Sequence, residues 1–362
     1  MTSVTIPAPG KSYDAIIGLG ARARLPELIQ QLSPCRPPVL LTDQVVGQLH
    51  ADKLRATLPN RHHYLAVPSG ETSKSLATAA NLYDQLAALR VERGDLLLAL
   101  GGGVVTDLGG FVAATWHRGM RFVTLPTTLE AAIDAAVGGK TGLNHAAGKN
   151  LIGVFHHPSA VLIDTEFLAT LPARDHTAGL AESVKHAMIA DAAFFDWHEQ
   201  HAAALAAREP ALLDELIARN LAIKAAVVAA DEREAGPRMF LNFGHTIGHA
   251  LEQLLHYALR HGECVALGML AENELMRARG WLAGDVATRM RSLLETLGLP
   301  VRLPAPVAAA DVLRWCRADK KVLRGALRMA VVRAIGQPEC VADFADHEVE
   351  AALGVIMPSA TA

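Results

Sequence analysis

Asn242-Phe-Gly-His245-Thr-Ile-Gly-His249 is followed, after a short helix and loop, by His261-Gly-Glu263, so imidazoles stand at the starts of two successive helices. Imidazoles bind divalent transition metals, and a catalytic metal site takes three protein donors and keeps one position open. An acidic third donor is at hand in Gly179-Leu-Ala-Glu182-Ser-Val-Lys185, where Glu182 and Lys185 lie three residues apart. On a surface such a pair would be unremarkable, but the apolar segment around it turns at least one member inward. A second chemistry is written in Asp95-Leu-Leu-Leu-Ala-Leu-Gly-Gly-Gly-Val-Val-Thr-Asp107, a strand running into a glycine triplet. Three glycines let backbone N–H groups approach a phosphate, and the helix that follows offers its positive end. A dense polar stretch comes next: Arg118, Thr127-Thr128, Asp134, Lys140, Asn144 and Lys149-Asn150. Lysine and asparagine on glycine-rich loops suit a phosphate or polyol. Lys224, Arg238, Lys320 and Lys321 taken singly read as solvated cations.

Three motifs look like sites and fall short. Gly18-Leu-Gly20-Ala-Arg-Ala23 has the glycine spacing of a dinucleotide turn, with Asp43 as the acidic partner, but it reads equally as a tight turn. Gly139-Lys140-Thr141 ends like a P-loop, yet Asp134 stands where the loop needs its first glycine. His245 and His249 have the spacing of a zinc protease helix, but Thr246 replaces the general-base glutamate.

These residues need elements to hold them. Strand-like runs at Tyr13–Gly18, Pro38–Asp43, Tyr64–Val67, Asp95–Leu100, Arg121–Leu125 and Ala160–Asp164 alternate with helical stretches such as Ser75–Arg90. Such alternation predicts a mostly parallel, Rossmann-like α/β sheet with ligands beyond the carboxyl ends of its strands. From about residue 174 the spacing turns helical, over roughly 176–190, 192–207, 210–230, 244–257, 262–279 and 285–297, with a small hairpin around Gly336-Gln337-Pro338. The expected domains are therefore 1–172, α/β and nucleotide-binding, and 173–362, an all-α domain for metal and substrate. At 362 residues with 51% hydrophobic and 20% charged residues the chain is globular, and its net charge of −3 gives no reason to expect nucleic acid. Four scattered cysteines fit a reducing compartment, and 16 histidines point any metal site towards imidazole. No signal peptide or membrane-spanning run is visible, so the expected location is cytoplasmic.

Taken together, these stretches resemble the dehydroquinate synthase family, within the wider sugar-phosphate cyclases. The matching segments are GETSKS (70–75), LGGGVVTDLGGFVAATWHRG (100–119), LPTTLEAAIDAAVGGKTGLNHAAGKNLIG (125–153), AGLAESVK (178–185), DEREAGPRMFLNFGHTIGHALE (231–252), HGECVALGM (261–269) and DKKVLRGALR (319–328). They cover residues 70–330 in family order. The resemblance implies that family's two-domain fold, with NAD+ bound between the domains by Asp43, Glu71, Lys74, Gly102, Gly103, Val104, Asp107, Thr127, Thr128, Lys140 and Lys149. It implies Zn2+ or Co2+ on Glu182, His245 and His261. Lys140, Asn150, Lys185, Asn242 and His249 match residues around the substrate phosphate, and Asp134 and Lys224 match residues around the reacting hydroxyls. Arg238, with Lys320 or Lys321, matches a clamp on the substrate carboxylate. Arg118 matches an arginine that reaches a neighbouring subunit, which implies a homodimer.

The family's reaction, as the resemblance implies it, belongs to the shikimate pathway and turns a seven-carbon keto-acid phosphate into a carbocycle. A ring hydroxyl is oxidised transiently with NAD+, phosphate leaves by β-elimination and is thought to take the proton itself, the alcohol is restored, and an aldol closure follows. Thr106, Ser183, Pro237 and the stretch Asp43-Gln-Val45 depart from the family's usual residues without removing a charged group. Other readings are a sister cyclase acting on an amino analogue or sedoheptulose 7-phosphate, a metal-dependent polyol dehydrogenase, and a non-enzymatic binding protein. Arg238 and the Lys320-Lys321 pair argue for a substrate carboxylate, since buried unpaired cations are costly.

Overall fold

A computed structural model describes the chain except residues 9, 11, 59–60, 147, 319–321, 324–325, 343 and 359–362. It forms two compact units, Met1–Pro172 with Leu213–Ala229, and Ala173–Leu212 with Ala230–Ala362. Residues 213–229, assigned on sequence to the second domain, group with the first.

The first unit is built on seven strands: β1 (Thr2–Ile6), β2 (Tyr13–Gly18), β3 (Val39–Asp43), β4 (His63–Val67), β5 (Leu96–Gly101), β6 (Arg121–Pro126) and, after a hairpin of β7 (Lys140–His145) and β8 (Gly148–Phe155), β9 (Ala160–Asp164). Their order is β1-β2-β9-β6-β5-β3-β4, all parallel except β1. Alternation along the strands divides the core in two. Val39, Leu41, Leu97, Ala99 and Phe122 belong to one buried cluster, while Leu40, Leu96, Leu98, Leu100, Val123 and Leu125 belong to another. A sheet buried on both faces reads as continuous apolar runs, as these strands do.

The helices of this unit are α1 (Leu25–Leu32), α2 (Gln44–Arg55), α3 (Leu76–Ala88) and α4 (Gly103–Thr115). Asp43 starts α2 by accepting from Val45 N and Val46 N, and Ser75 starts α3 by accepting from Thr78 N. The chain goes from β3 to one edge of the sheet and from β5 towards the other. The topological switch therefore lies between them, where open α/β sheets bind ligands.

Next come α5 (Ala173–Ala190), α6 (Ala192–Ala206) and α7 (Pro210–Ala230). Helix α7 buries Leu213, Leu216, Ile217, Asn220, Leu221, Lys224, Ala225 and Val228, a stripe at helical spacing that carries one cation. The second unit continues with α8 (His245–Leu254), α9 (His261–Ala278), α10 (Val286–Thr296), α11 (Ala309–Ala318), the short strands β10 (Val322–Leu323) and β11 (Ala326–Leu327), the hairpin β12 (Met329–Ala334) and β13 (Gln337–Val341), and α12 (Asp346–Leu353). It is helical with small hairpins, rather than wholly α. Among the described residues no helix is long and apolar enough to cross a membrane.

Helix α12 is tied to α9 by an ion pair, Arg279 to Glu348 at 2.5 Å, which with the Ala345 amide pulls the Glu348 carboxyl down to about 2. A depressed carboxyl stabilises the fold above its unfolded value near 4.5, and the contribution is lost as pH falls through about 2. Glu348→Gln should lower Tm by about 2 °C at pH 7. The gap should close between pH 4.5 and 2, which thermal melts across that range will check.

Candidate active site

Glu182 and Lys185 lie on α5, fully buried and in direct contact with each other. Glu182 Oε1 is 3.4 Å from His245 Nε2 and 3.2 Å from His261 Nε2. It is buried and satisfies no hydrogen-bond geometry. Such an oxygen left without a donor costs about 1–3 kcal/mol. A divalent cation shared with the two imidazoles would satisfy it, so the residues fit a metal. Protonation agrees. Burial works against the Glu182 charge, but Lys185 and His245 outweigh it and hold the carboxyl well below its ordinary range. Burial pushes His245 down, towards the neutral imidazole that ligates. His249 joins the group, since one ligating atom from each of His245, His249 and His261 lies within 4.8 Å of the others.

The outer contacts of the imidazoles explain their aim. His245 Nδ1 is 3.1 Å from Phe243 O, which turns Nε2 towards Glu182. Glu272, wholly buried, accepts from Gly244 N at 2.5 Å and so caps the helix that begins with His245. Glu263 accepts from Arg260 N and from Arg174, which fixes the start of α9 beside His261. Glycines let the three helices meet. A Cβ on Gly262 would lie 1.9 Å from Ala178 O of α5, and one on Gly268 would lie 1.9 Å from Gly244 O at the start of α8. Sequence reading gave no role to Glu252, Glu263 or Glu272, although Glu263 stands in the His261 motif. The signal for Glu252 was its spacing: with His245 and His249 it falls at i, i+4, i+7 on one helix face.

The loop before α8 bears Arg238 and Asn242, the first of them expected to clamp a carboxylate. Asp231 accepts from the amides of Ala235, Gly236 and Arg238, folding the loop on itself. Arg238 is 1% exposed and donates to Glu232 O, while Asn242 donates to Glu234 at 2.6 Å. Pro237 opens the short 3-10 turn that carries both residues. Ser183 is held by His198 at 2.7 Å. Lys320 and Lys321 lie outside the described residues.

In the first unit most of the expected cofactor residues collect at the carboxyl ends of the central strands. Asp43 pairs with Val67, and Gly101 with Pro126, so the loops bearing Glu71–Lys74, Gly102–Gly103 and Thr127–Thr128 all leave the carboxyl ends of β3 to β6. No side chain caps α4, whose N-terminus begins at Gly103, next to Val104. Thr127 Oγ1 is buried without a partner, and Thr128 Oγ1 accepts from Ala131 N. Asp43 Oδ1 is occupied as the cap of α2 and by Ser69. Thr106 folds its hydroxyl back on Gly103 O.

Lys74 bonds Asp107 at 2.5 Å and also Asn150, while Glu71 accepts from Asn144 at 2.7 Å. This network ties the loop after β4 to the β7–β8 hairpin, which bears Lys140, Lys149 and Asn150. Burial raises the Asp107 carboxyl despite Lys74. Asp134 lies in a single turn of π-helix, Ala131–Ala135, and grips Lys224 of α7 through both its carboxylate and its carbonyl. Arg118 is exposed, with φ +62°, just beyond α4.

The Gly18-Leu-Gly20 turn is closed as an anion site. Asp164 accepts from Gly20 N at 2.8 Å and Arg22 N at 3.2 Å, and Arg22 itself reaches Asp164 at 2.7 Å. The chain's own carboxylate takes the amides that a pyrophosphate would need.

Comparison with known proteins agrees with this geometry. Residues 64–178 match the family model described as 3-dehydroquinate synthase N-terminal, and residues 179–322 match the C-terminal model of that enzyme. The chain is 43% identical over 355 residues to a 3-dehydroquinate synthase of Azotobacter vinelandii, covering 98% of this chain and 96% of the relative. Another such enzyme, from Halorhodospira halophila, is 45% identical over 85% of this chain and 86% of its own. Among solved structures, 2-epi-5-epi-valiolone synthase from Streptomyces hygroscopicus, with NAD+ and Zn2+ bound, superposes with TM-score 0.87 at 31% identity over 96% of this chain and 97% of that one. A 2-deoxy-scyllo-inosose synthase complexed with NAD+ and Co2+ shares the fold at TM-score 0.89 and 23% identity, over 98% and 100% of the two chains.

Proposed function

The chain belongs to the 3-dehydroquinate synthase family and is a phosphate-eliminating lyase that makes 3-dehydroquinate; from that premise we propose how its own residues divide the work. The reading rests above all on the buried Glu182 oxygen facing two imidazole nitrogens. Glu182, His245 and His261 would hold a divalent ion, zinc or cobalt, which supplies Lewis acidity when bound. The edge formed by Glu71, Lys74, Gly102, Gly103, Val104, Thr127 and Thr128 would hold NAD+, which supplies a reversible hydride acceptor when bound.

The remaining residues bind and orient. The uncapped N-terminus of α4 takes negative charge from the dinucleotide phosphates. Asp107 and Asn150 pin Lys74, so the cationic edge of that site costs little further ordering when it is occupied. Asp134 holds the Lys224 ammonium in place near the reacting hydroxyls, where it favours developing alkoxide. Lys140, Asn150, Lys185, Asn242 and His249 receive the substrate phosphate, and Arg238 with Lys320 or Lys321 receives its carboxylate. Arg118 completes the site of a neighbouring copy in a homodimer.

The decisive assay incubates pure protein with 3-deoxy-D-arabino-heptulosonate 7-phosphate, catalytic NAD+ and Zn2+. Phosphate and dehydroquinate should appear in equal amounts without accumulation of NADH. Turnover only of an amino analogue or of sedoheptulose 7-phosphate would assign the chain to a sister cyclase, and net NADH would assign it to a dehydrogenase. Arg238→Ala should raise KM for the heptulosonate about 10- to 100-fold, from the loss of a charged hydrogen bond, with bound zinc unchanged. Steady-state kinetics beside metal analysis will check this, and an unchanged KM refutes the clamp.

A further inference from the structure

The His261 ring is bracketed by two carboxylates. Its Nε2 faces Glu182 at 3.2 Å, and its Nδ1 lies 3.3 Å from Glu252 Oε2, an ion-pair contact whose angles fall short of a hydrogen bond and which a small turn of the carboxylate would complete. Glu252 is 2% exposed and lies two helical turns beyond His245 on α8. A neutral imidazole carries one proton, so only one of its nitrogens can donate. His245 resolves that choice with a peptide carbonyl, Phe243 O. For His261 the group that faces Nδ1 is an anion, the Glu252 carboxylate.

Building on the metal reading above, we infer that Glu252 is the positioning residue for His261. Its carboxylate accepts the Nδ1 proton, keeps the Nε2 lone pair turned towards Glu182 and His245, and raises the basicity of the ring. An outer carboxylate of this kind fixes the tautomer and strengthens the ligand, and its loss typically costs 10- to 100-fold in metal affinity. The position of Glu252 also couples the two ligand helices. It projects from the helix that His245 opens and holds the ring that opens the next. Neither histidine can then rotate without disturbing the other's helix.

The test uses full-length protein carrying Glu252→Leu or Glu252→Gln, titrated with Zn2+ alone against a chromophoric chelator. The leucine variant, of similar shape and without an acceptor, should weaken zinc binding about 10- to 100-fold. The glutamine variant keeps a carbonyl oxygen for Nδ1 and should lose less, which separates positioning from packing. Nitrogen NMR of the metal-free protein gives a second readout that needs no zinc. His261 should be Nδ1-protonated in the wild type and in the glutamine variant, and mixed in the leucine variant. Wild-type zinc affinity in a folded leucine variant overturns the proposal, as does an Nε2-protonated His261 in the wild type. If the leucine variant does not fold, the glutamine titration and the wild-type tautomer still decide. A wild type that binds no zinc yet shows Nδ1-protonated His261 sinks the metal reading and leaves the positioning role standing.

Discussion

Replacing His261 with alanine is expected to strip the divalent ion and lower kcat/KM about a thousandfold, with the fold retained. The ring is partly exposed, 24% of its side chain, so little packing goes with it. What goes is one of the three proposed donors, and a Lewis acid at a reacting oxygen is worth several kcal/mol, which is about three orders of magnitude in rate. The companion variants sharpen the result. Glu182→Gln should also lose metal, because it leaves a buried amide where an anionic ligand stood. His249→Ala should keep metal and raise KM, if that histidine serves the substrate phosphate. Loss of zinc from the His249 variant, with retention in the Glu182 variant, would instead make the donors His245, His249 and His261, a set the geometry also brings together. Metal analysis of the purified variants, beside steady-state kinetics, decides between the two sets.

Gly268→Ala should be nearly as damaging without touching a ligand. Within a helix, alanine is intrinsically favoured over glycine by about 1 kcal/mol. Here the added carbon would sit 1.9 Å from Gly244 O and 2.9 Å from Gly248 N, backbone atoms that cannot swing aside. Overpacking costs about 1–3 kcal/mol, and more when backbone must move. The only relief is to push α9 away from α8, which also separates His245 from His261. Metal sites tolerate about 0.5 Å of such drift. Tm should fall by about 5 °C or more, and added zinc should recover less of it than in the wild type. Gly354→Ala is the control, since it meets no atom within 4 Å. An unchanged Tm and zinc content in the Gly268 variant would mean that the helix contact has no part in building the site.

Much of this was legible in the chain. The six expected strands stand within a residue or so of their places, because Leu96–Leu100 and its neighbours are short apolar runs broken by turn residues. The β7–β8 hairpin was not legible. Lys140–His145 and Gly148–Phe155 are rich in glycine, lysine and asparagine and read as loop, yet they pair antiparallel, with one register shift between Leu143 and His145. Their order comes from long-range bonds such as Lys74 to Asn150, which no local pattern announces. Glu252 and Glu272 were hidden for a similar reason. A buried carboxylate on a helix looks like a solvated one until the facing helix is known. The closed Gly18-Leu-Gly20 turn shows the same limit, for its occupant, Asp164, is about 140 residues away. What could be read were residue types and their order along motifs; what could not were the partners those residues meet across the fold.

The return of Leu213–Ala229 to the first unit also bears on how the chain is made. A ribosome delivers Asp134 well before Lys224, with 90 positions between them. At ordinary rates of synthesis that interval is about 5–20 s. During it the first unit lacks Leu213–Ala229, and with that segment the lysine that Asp134 grips, while residues 173–212 emerge between its two parts. The first unit therefore cannot finish folding while it is being translated up to residue 172. A gene cut there would release a first unit that has never met Leu213–Ala229 or the lysine it brings to Asp134.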